Sequence, residues 1–218
     1  MYGLFHWFVK ITGWIPQLFA FRQKVYYEDK SVQSRRIKGK AIVVSNHHSV
    51  WDLGAHIFIF PSRNLRCLTA ELMYRKNFVM TAILNGLGAI KVDRNTHDFS
   101  FMEKAEKVLD KNGVILAFPE ARIPQPEEET PLPFKPSVVY MALHTGAPII
   151  PVAINGSYFN KKPSRVLIGK PMDLRALYQS DLSEKENVEN INRQLRQKIV
   201  ELKNDLEKRI AAEKKENK

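Results

Sequence analysis

One cysteine, Cys67, stands among 218 residues. That rules out an intramolecular disulfide and a metal site built of cysteines alone, and it suits a reducing compartment. No repeat or low-complexity block interrupts the chain. A long apolar run is missing too. The greasiest stretch, "MYGLFHWFVKITGWIPQLFAF", is broken by His6, Lys10, Thr12, Pro16 and Gln17, whereas a membrane-spanning helix needs about 20 mainly apolar residues. The same stretch lacks the leading basic residues and small-residue cleavage site of a secretory signal. Acidic residues are scarce in the front of the chain: residues 1–100 hold 6 Asp/Glu against 14 Lys/Arg, and residues 101–218 hold 17 against 20. The surplus, +11 in all, favours an anionic partner. Nucleic acid is not expected to be that partner, because no basic stripe with interleaved stacking aromatics is found.

What is present describes a folded chain, 44% hydrophobic and 26% charged, long enough for one well-cored domain. Residues 1–24 are read as an N-terminal helix. Phe5, Trp7, Phe8, Trp14, Phe19 and Phe21 crowd it, and Arg22 and Lys24 follow directly. Aromatic residues beside cations suit the headgroup boundary of an anionic membrane surface, with the helix lying in the interface. The alternative is a helix packed by its apolar face on the domain's own core.

Short apolar runs recur at 41–45, 65–70, 88–92, 113–118, 147–154 and 164–169, and most are rich in Val and Ile. Such runs fit strands covered on both faces. Helix-like stretches lie near 50–60, 73–86, 98–111 and 135–145. The alternation predicts an α/β domain over 25–182, with a mostly parallel central sheet flanked by helices. Residues 124–136, proline-rich and acidic, form a surface loop. From Ser183 onward, Val188, Ile191, Leu195, Ile199, Leu202, Leu206 and Ile210 recur every three or four residues. Residues 183–218 are therefore expected to be a long amphipathic helix docked by one apolar stripe.

In open α/β sheets, ligands bind beyond the carboxyl ends of the strands, and two polar clusters follow strands at once: "NHHSVWD" (46–52) and "PEAR" (119–122). The first cluster admits three readings. His47 can be a general base oriented by Asp52, five residues on. His48, Asp52 and His56, four residues apart, can stack on one helix face as metal ligands of a hydrolase. Or these are capping and surface residues, with Ser49 as N-cap.

Together with four further segments, the cluster resembles the glycerolipid acyltransferase family, in particular the bacterial 1-acylglycerol-3-phosphate acyltransferases. "NHHSVWD" is similar to their N-H-x-S-x-x-D motif, the HX4D block. "GLGAIKVDR" (86–94), "FPEAR" (118–122), "PFKP" (133–136) and "APIIPVAI" (147–154) resemble later blocks in the same order. The likeness spans roughly residues 25–172. It implies that His47 is the catalytic base and Asp52 its partner, with His48 at a variable position. It also implies that Asn46, Arg94, Glu120 and Arg122 bind the acceptor, Glu120 either bonding a glycerol hydroxyl or bracing an arginine. The chain departs from the pattern in several places: Thr69 stands where a phosphate-binding lysine is common, Ala121 replaces a glycine, Arg122 comes one place early, and Pro136–Ser137 replace a glycine region. An alanine at position 121 costs conformational freedom if the position needs positive φ.

The resemblance implies transfer of a fatty acyl group from a thioester, acyl-CoA or acyl carrier protein, to the hydroxyl of lysophosphatidate, giving phosphatidate for phospholipid biosynthesis. Another lysolipid or glycerol 3-phosphate is the alternative acceptor. Neither a cofactor nor a metal is expected, and the place of action is the cytoplasmic face of the membrane, peripherally or monotopically. Backbone amides in the turn after Asn46 are the expected oxyanion donors. Cys67, inside an apolar run, is expected to be structural and unreactive.

Overall fold

The computed structural model describes residues 2–75, 77–93 and 99–216. They form one seven-stranded sheet in the order β1-β7-β6-β2-β5-β3-β4. The strands are β1 (Lys24–Tyr27), β2 (Ala41–Ser45), β3 (Leu65–Ala70), β4 (Ile90–Val92), β5 (Val114–Ala117), β6 (Ile149–Ile154) and β7 (Arg165–Ile168). All pairings are parallel except β6 with β7, which is antiparallel. The α/β class and mostly parallel sheet expected from the apolar runs are therefore present. The central strands β2, β5 and β6 are buried at every residue, as strands covered on both faces must be. Edge strand β1, "KVYY", carries no apolar run because it is only partly buried, and the apolar pattern of the sequence does not predict it.

Helices α5 (Ser100–Asp110), α6 (Ser137–Thr145) and α7 (Glu184–Glu216) cover one face. Their apolar residues join Ile42, Val44, Ile115 and Ile149 of the sheet in one core. On the other face, α2 (Asp52–Ile59) and the following Phe60 pack over Val43, Leu65, Leu116 and Ile150. The single helix expected over 73–86 is instead two, α3 (Glu71–Tyr74) and α4 (Phe78–Gly86). Asn77 starts the second: its side chain accepts the Met80 amide at 2.7 Å, a helix N-cap.

α1 (Tyr2–Ala20) leans on α2, where Gly13 permits the approach; a Cβ there would lie 2.7 Å from the Phe58 ring. Its polar side faces the protein. His6, Lys10 and Gln17 are buried, with His6 Nε2 3.1 Å from the Leu65 carbonyl. Lys10 Nζ donates to the Arg63 carbonyl at 2.8 Å and to Asn64 Oδ1 at 3.0 Å. Leu4, Trp7, Phe8, Ile11, Trp14, Ile15, Leu18 and Phe19 are exposed. An apolar face docked on the core is thus not what the fold contains. Among the described residues, no helix is long and apolar enough to cross a membrane.

Candidate active site

The carboxyl ends of neighbouring strands β2, β5 and β6 present three loops side by side, and polar side chains bind those loops into one body. Asn46, the first residue after β2, is buried, and its amide clasps Ile154 at the end of β6 through both its groups. Oδ1 accepts the Ile154 amide and Nδ2 donates to the Ile154 carbonyl, each at 2.9 Å. Glu120, in the loop after β5, accepts the His47 amide on one oxygen and the Leu132 amide on the other, both at 2.8 Å. Burial raises the Glu120 pKa, and those two amides oppose the rise. Both side chains therefore brace backbone, and among the described residues no arginine is bonded to either Glu120 oxygen.

Asp52 opens α2 and is fully buried. Oδ2 accepts His47 Nδ1–H at 2.6 Å and the amides of His48 and Ser49 at 2.7 and 2.9 Å. Oδ1 accepts the Tyr158 hydroxyl at 2.6 Å. Burial by itself would raise this carboxyl's pKa, but the donors His47, Tyr158, Ser49 and His48 together hold it below the ordinary value. A charged, saturated Asp52 fixes the proton of His47 on Nδ1, which leaves Nε2 as the nitrogen able to take a proton from a ligand. The imidazole lies flat against Phe118, centroids 4.5 Å apart and planes 17° apart. This stacking and the Asp52 bond together hold the ring, whose side chain remains 18% exposed.

The sequence alone does not reveal Tyr158 or Phe118. Phe118 stood at the end of an apolar run, so burial explained it sufficiently. Tyr158 follows "NGS" after β6, and a loop beyond a third strand's carboxyl end was the available signal. Gly156 in that loop has φ +62°, and a Cβ there would come within 2.5 Å of His48 Cβ. The loop can close over the site only with glycine at that position.

The amides expected to stabilise an oxyanion are already committed: those of His48 and Ser49 to Asp52, and that of His47 to Glu120. The metal arrangement also fails geometrically. α2 begins only at Asp52, so His48 is off the helix, with Nε2 3.0 Å from the Ile154 carbonyl. His56 is fully buried, its Nδ1 2.7 Å from the Asp52 carbonyl. Among the described residues no three His, Cys, Asp or Glu side chains could hold a metal ion together.

Arg94 lies outside the described residues. Arg122 is exposed and grips Glu128 of the acidic loop with both arms, one at 2.6 Å. The guanidinium pulls the Glu128 pKa down to about 2. Ala121 has φ +61°, so the alanine does occupy a left-handed position, at a cost of roughly 1–2 kcal/mol. Thr69 is buried in β3, its hydroxyl 3.4 Å from the Cys67 carbonyl. Burial pushes the Cys67 thiol up to about 12, and a thiol so poor in thiolate is a poor nucleophile.

Comparison with known proteins finds relatives in both fold and sequence. The crystal structure of the 1-acyl-sn-glycerophosphate (LPA) acyltransferase PlsC from Thermotoga maritima superposes with a TM-score of 0.60 at 21% identity, covering 93% of this chain and 79% of that one. It establishes a shared fold. Human 1-acyl-sn-glycerol-3-phosphate acyltransferase beta is 24% identical over 157 residues, 71% of this chain and 56% of the relative. The coconut (Cocos nucifera) 1-acyl-sn-glycerol-3-phosphate acyltransferase is 26% identical over 122 residues, 55% of this chain and 38% of the relative. The chain thus spans about half the length of the human relative and less of the coconut one. The family model described as Acyltransferase matches residues 23–155, more than half of the sequence, a span that includes Asn46, His47, Asp52 and Glu120, and the chain belongs to that family.

Proposed function

We propose that this protein transfers a fatty acyl group from a thioester donor to the free hydroxyl of lysophosphatidate, giving phosphatidate. The observation that carries the reading is the 2.6 Å bond between His47 Nδ1 and a buried, fully bonded Asp52. An alcohol is too weak an acid to attack a thioester unaided. Nε2 of His47 removes its proton as the oxygen adds to the thioester carbonyl; the C–S bond then breaks, and the imidazolium returns the proton to the leaving thiolate. Asp52 stabilises the imidazolium between those steps. No covalent acyl-enzyme is needed, in keeping with a buried Cys67.

Acyl-CoA or acyl carrier protein is the co-substrate, and the relay uses no further cofactor. Arg122, together with Arg94, takes the acceptor's phosphate by charge-assisted hydrogen bonds, Arg122 releasing Glu128 to do so. Asn46 and Glu120 serve the acceptor indirectly, by holding the turn that carries His47. The outward aromatic face of α1 rests in the headgroup region of a membrane, where both greasy substrates reside. The cytoplasmic face is the proposed side.

The test is transfer of a labelled acyl group from thioester donors to a panel of lysolipids, with His47→Ala beside the wild type. Transfer to lysophosphatidate, reduced at least about a thousandfold in the variant, is expected. Undiminished turnover by His47→Ala would overturn the assignment. Transfer only to an acceptor without a phosphate monoester would keep the histidine, replace the acceptor, and mark Thr69 and Ala121 as signs of a changed headgroup site.

A further inference from the structure

The sheet edge formed by β4 carries a second concentration of positive charge. A cavity of about 450 Å³ lies there, lined by Tyr2, Arg66, Tyr74, Lys91, Lys104 and Lys107 among others. β5 and β3 stand between β4 and β2, the strand that leads to His47, so the cavity lies at the sheet's edge rather than among the central strand ends that carry His47. The mechanism makes no use of it.

The cavity's chemistry is one-sided. Its lining includes no carboxylate. Lys107 pairs with Glu103 at 2.5 Å, but Arg66, Lys91 and Lys104 make no ion pair among the described residues. Arg66 is half buried; its Nε is bonded to the Gly88 carbonyl and its guanidinium lies over the Tyr2 ring at 4.5 Å from the centroid. Gly88 must be glycine for this, since a Cβ would stand 2.5 Å from the guanidinium. Burial lowers the Arg66 pKa, with no carboxylate to offset the lost hydration. A desolvated, unneutralised guanidinium among lysines is a site awaiting an anion, because pairing with one restores what burial removed.

The cavity's place on the surface identifies the anion. Tyr2 both lines the cavity and begins α1, whose exposed Leu4, Trp7 and Phe8 lead away from it, while Phe78 and Val79 of the adjoining α4 are also exposed. We propose that this cavity binds the phosphate of a membrane lipid, whose acyl chains then lie against the apolar faces of α1 and α4. It would hold the N-terminal end of α1 at the bilayer through a headgroup contact separate from the substrate pocket. The inference rests on the membrane-lying reading of α1.

The experiment compares vesicles of phosphatidylcholine alone with vesicles containing phosphatidate or, at matched surface charge, phosphatidylglycerol. The proteins are wild type, Lys91→Gln/Lys104→Gln, and a control, Lys185→Gln/Lys208→Gln, with two charges removed from α7. All four lysines are exposed, so the folds should survive, which thermal melting checks. Wild type is expected to favour phosphatidate over phosphatidylglycerol. The β4-edge variant should lose about fivefold or more per lysine on phosphatidate, lose that preference, and keep its binding to phosphatidylcholine, whereas the α7 control keeps the preference. A phosphatidate preference unchanged in the β4-edge variant would overturn the site while leaving the α1 reading intact. Failure of the wild type to bind any vesicle would overturn both. Saturable binding of inorganic phosphate, lost in the β4-edge variant with no change on vesicles, would make this a free-phosphate site and overturn the lipid assignment.

Discussion

The two terminal helices have two-faced sequences, and the fold mounts them in opposite senses. α7 presses Val188, Ile191, Leu195, Ile199, Leu202 and Leu206 onto the sheet and leaves its charges in water. α1 presses His6, Lys10 and Gln17 onto the domain and turns its Trp, Leu and Ile residues, with Phe8 and Phe19, outward. Amphipathic periodicity establishes that a helix separates two media; it does not say which one is the protein. Burial stabilises α7 at about 25 cal/mol per Å² of apolar surface. α1 is held by hydrogen bonds to the carbonyls and amide at residues 63–65 and keeps its apolar area for another solvent. Exposed apolar patches of this kind mark interaction sites.

The contrast can be broken most forcefully from the α7 side. Leu195→Ala removes a wholly buried side chain from a core shared with α5 and α6. It should cost about 2–5 kcal/mol, read as a lower urea midpoint with unchanged slope; a loss below about 1 kcal/mol would mean that α7 is not integral to the core. The corresponding change in α1, Trp7→Ser with Phe8→Ser, should alter the unfolding free energy by about 0.5 kcal/mol or less yet weaken partition into phosphatidylcholine vesicles at least about tenfold. Equal vesicle binding by the double variant would remove the membrane role of that face.

A smaller effect comes from the buried cation of α1. Burial lowers the Lys10 pKa from 10.5 to about 8. Below pH 8 both folded and unfolded chains carry the proton, and the folded state bears the whole cost of a desolvated ammonium. Between pH 8 and 10.5 the unfolded chain holds a proton that the folded chain has shed, so the contribution of Lys10 to stability rises with pH. Relative to Lys10→Met, the wild type should therefore gain stability across that window. Urea midpoints of the two proteins taken at either end of it would show the gain, and a gap that stays constant would place the lysine in water.

Much of the fold was legible because its signals are local. The Val- and Ile-rich runs gave six strands, and the three-to-four-residue repeat gave α7. β1 stayed hidden because an edge strand needs no apolar pattern, and Asn77 divided what looked like one helix by capping its second half. In the site, the pairing of His47 with Asp52 was one of three readings that the residues left open, and the resemblance to the acyltransferases singled it out.

The other roles depend on partners far away in the chain. Whether Asn46 touches a ligand or backbone is decided by Ile154, and the role of Glu120 by His47 and Leu132. Asp52 is completed by Tyr158, a residue 106 positions away. By itself, then, the sequence determined six of the strands and the two-faced helices, set by neighbours within a few residues, and offered the histidine–aspartate pair as one of several readings. Only the tertiary structure decided which polar groups became braces, which amides were already spent, and which face of α1 was left bare. A buried polar group must find its hydrogen bond wherever the fold brings a partner, and no local pattern records where that is.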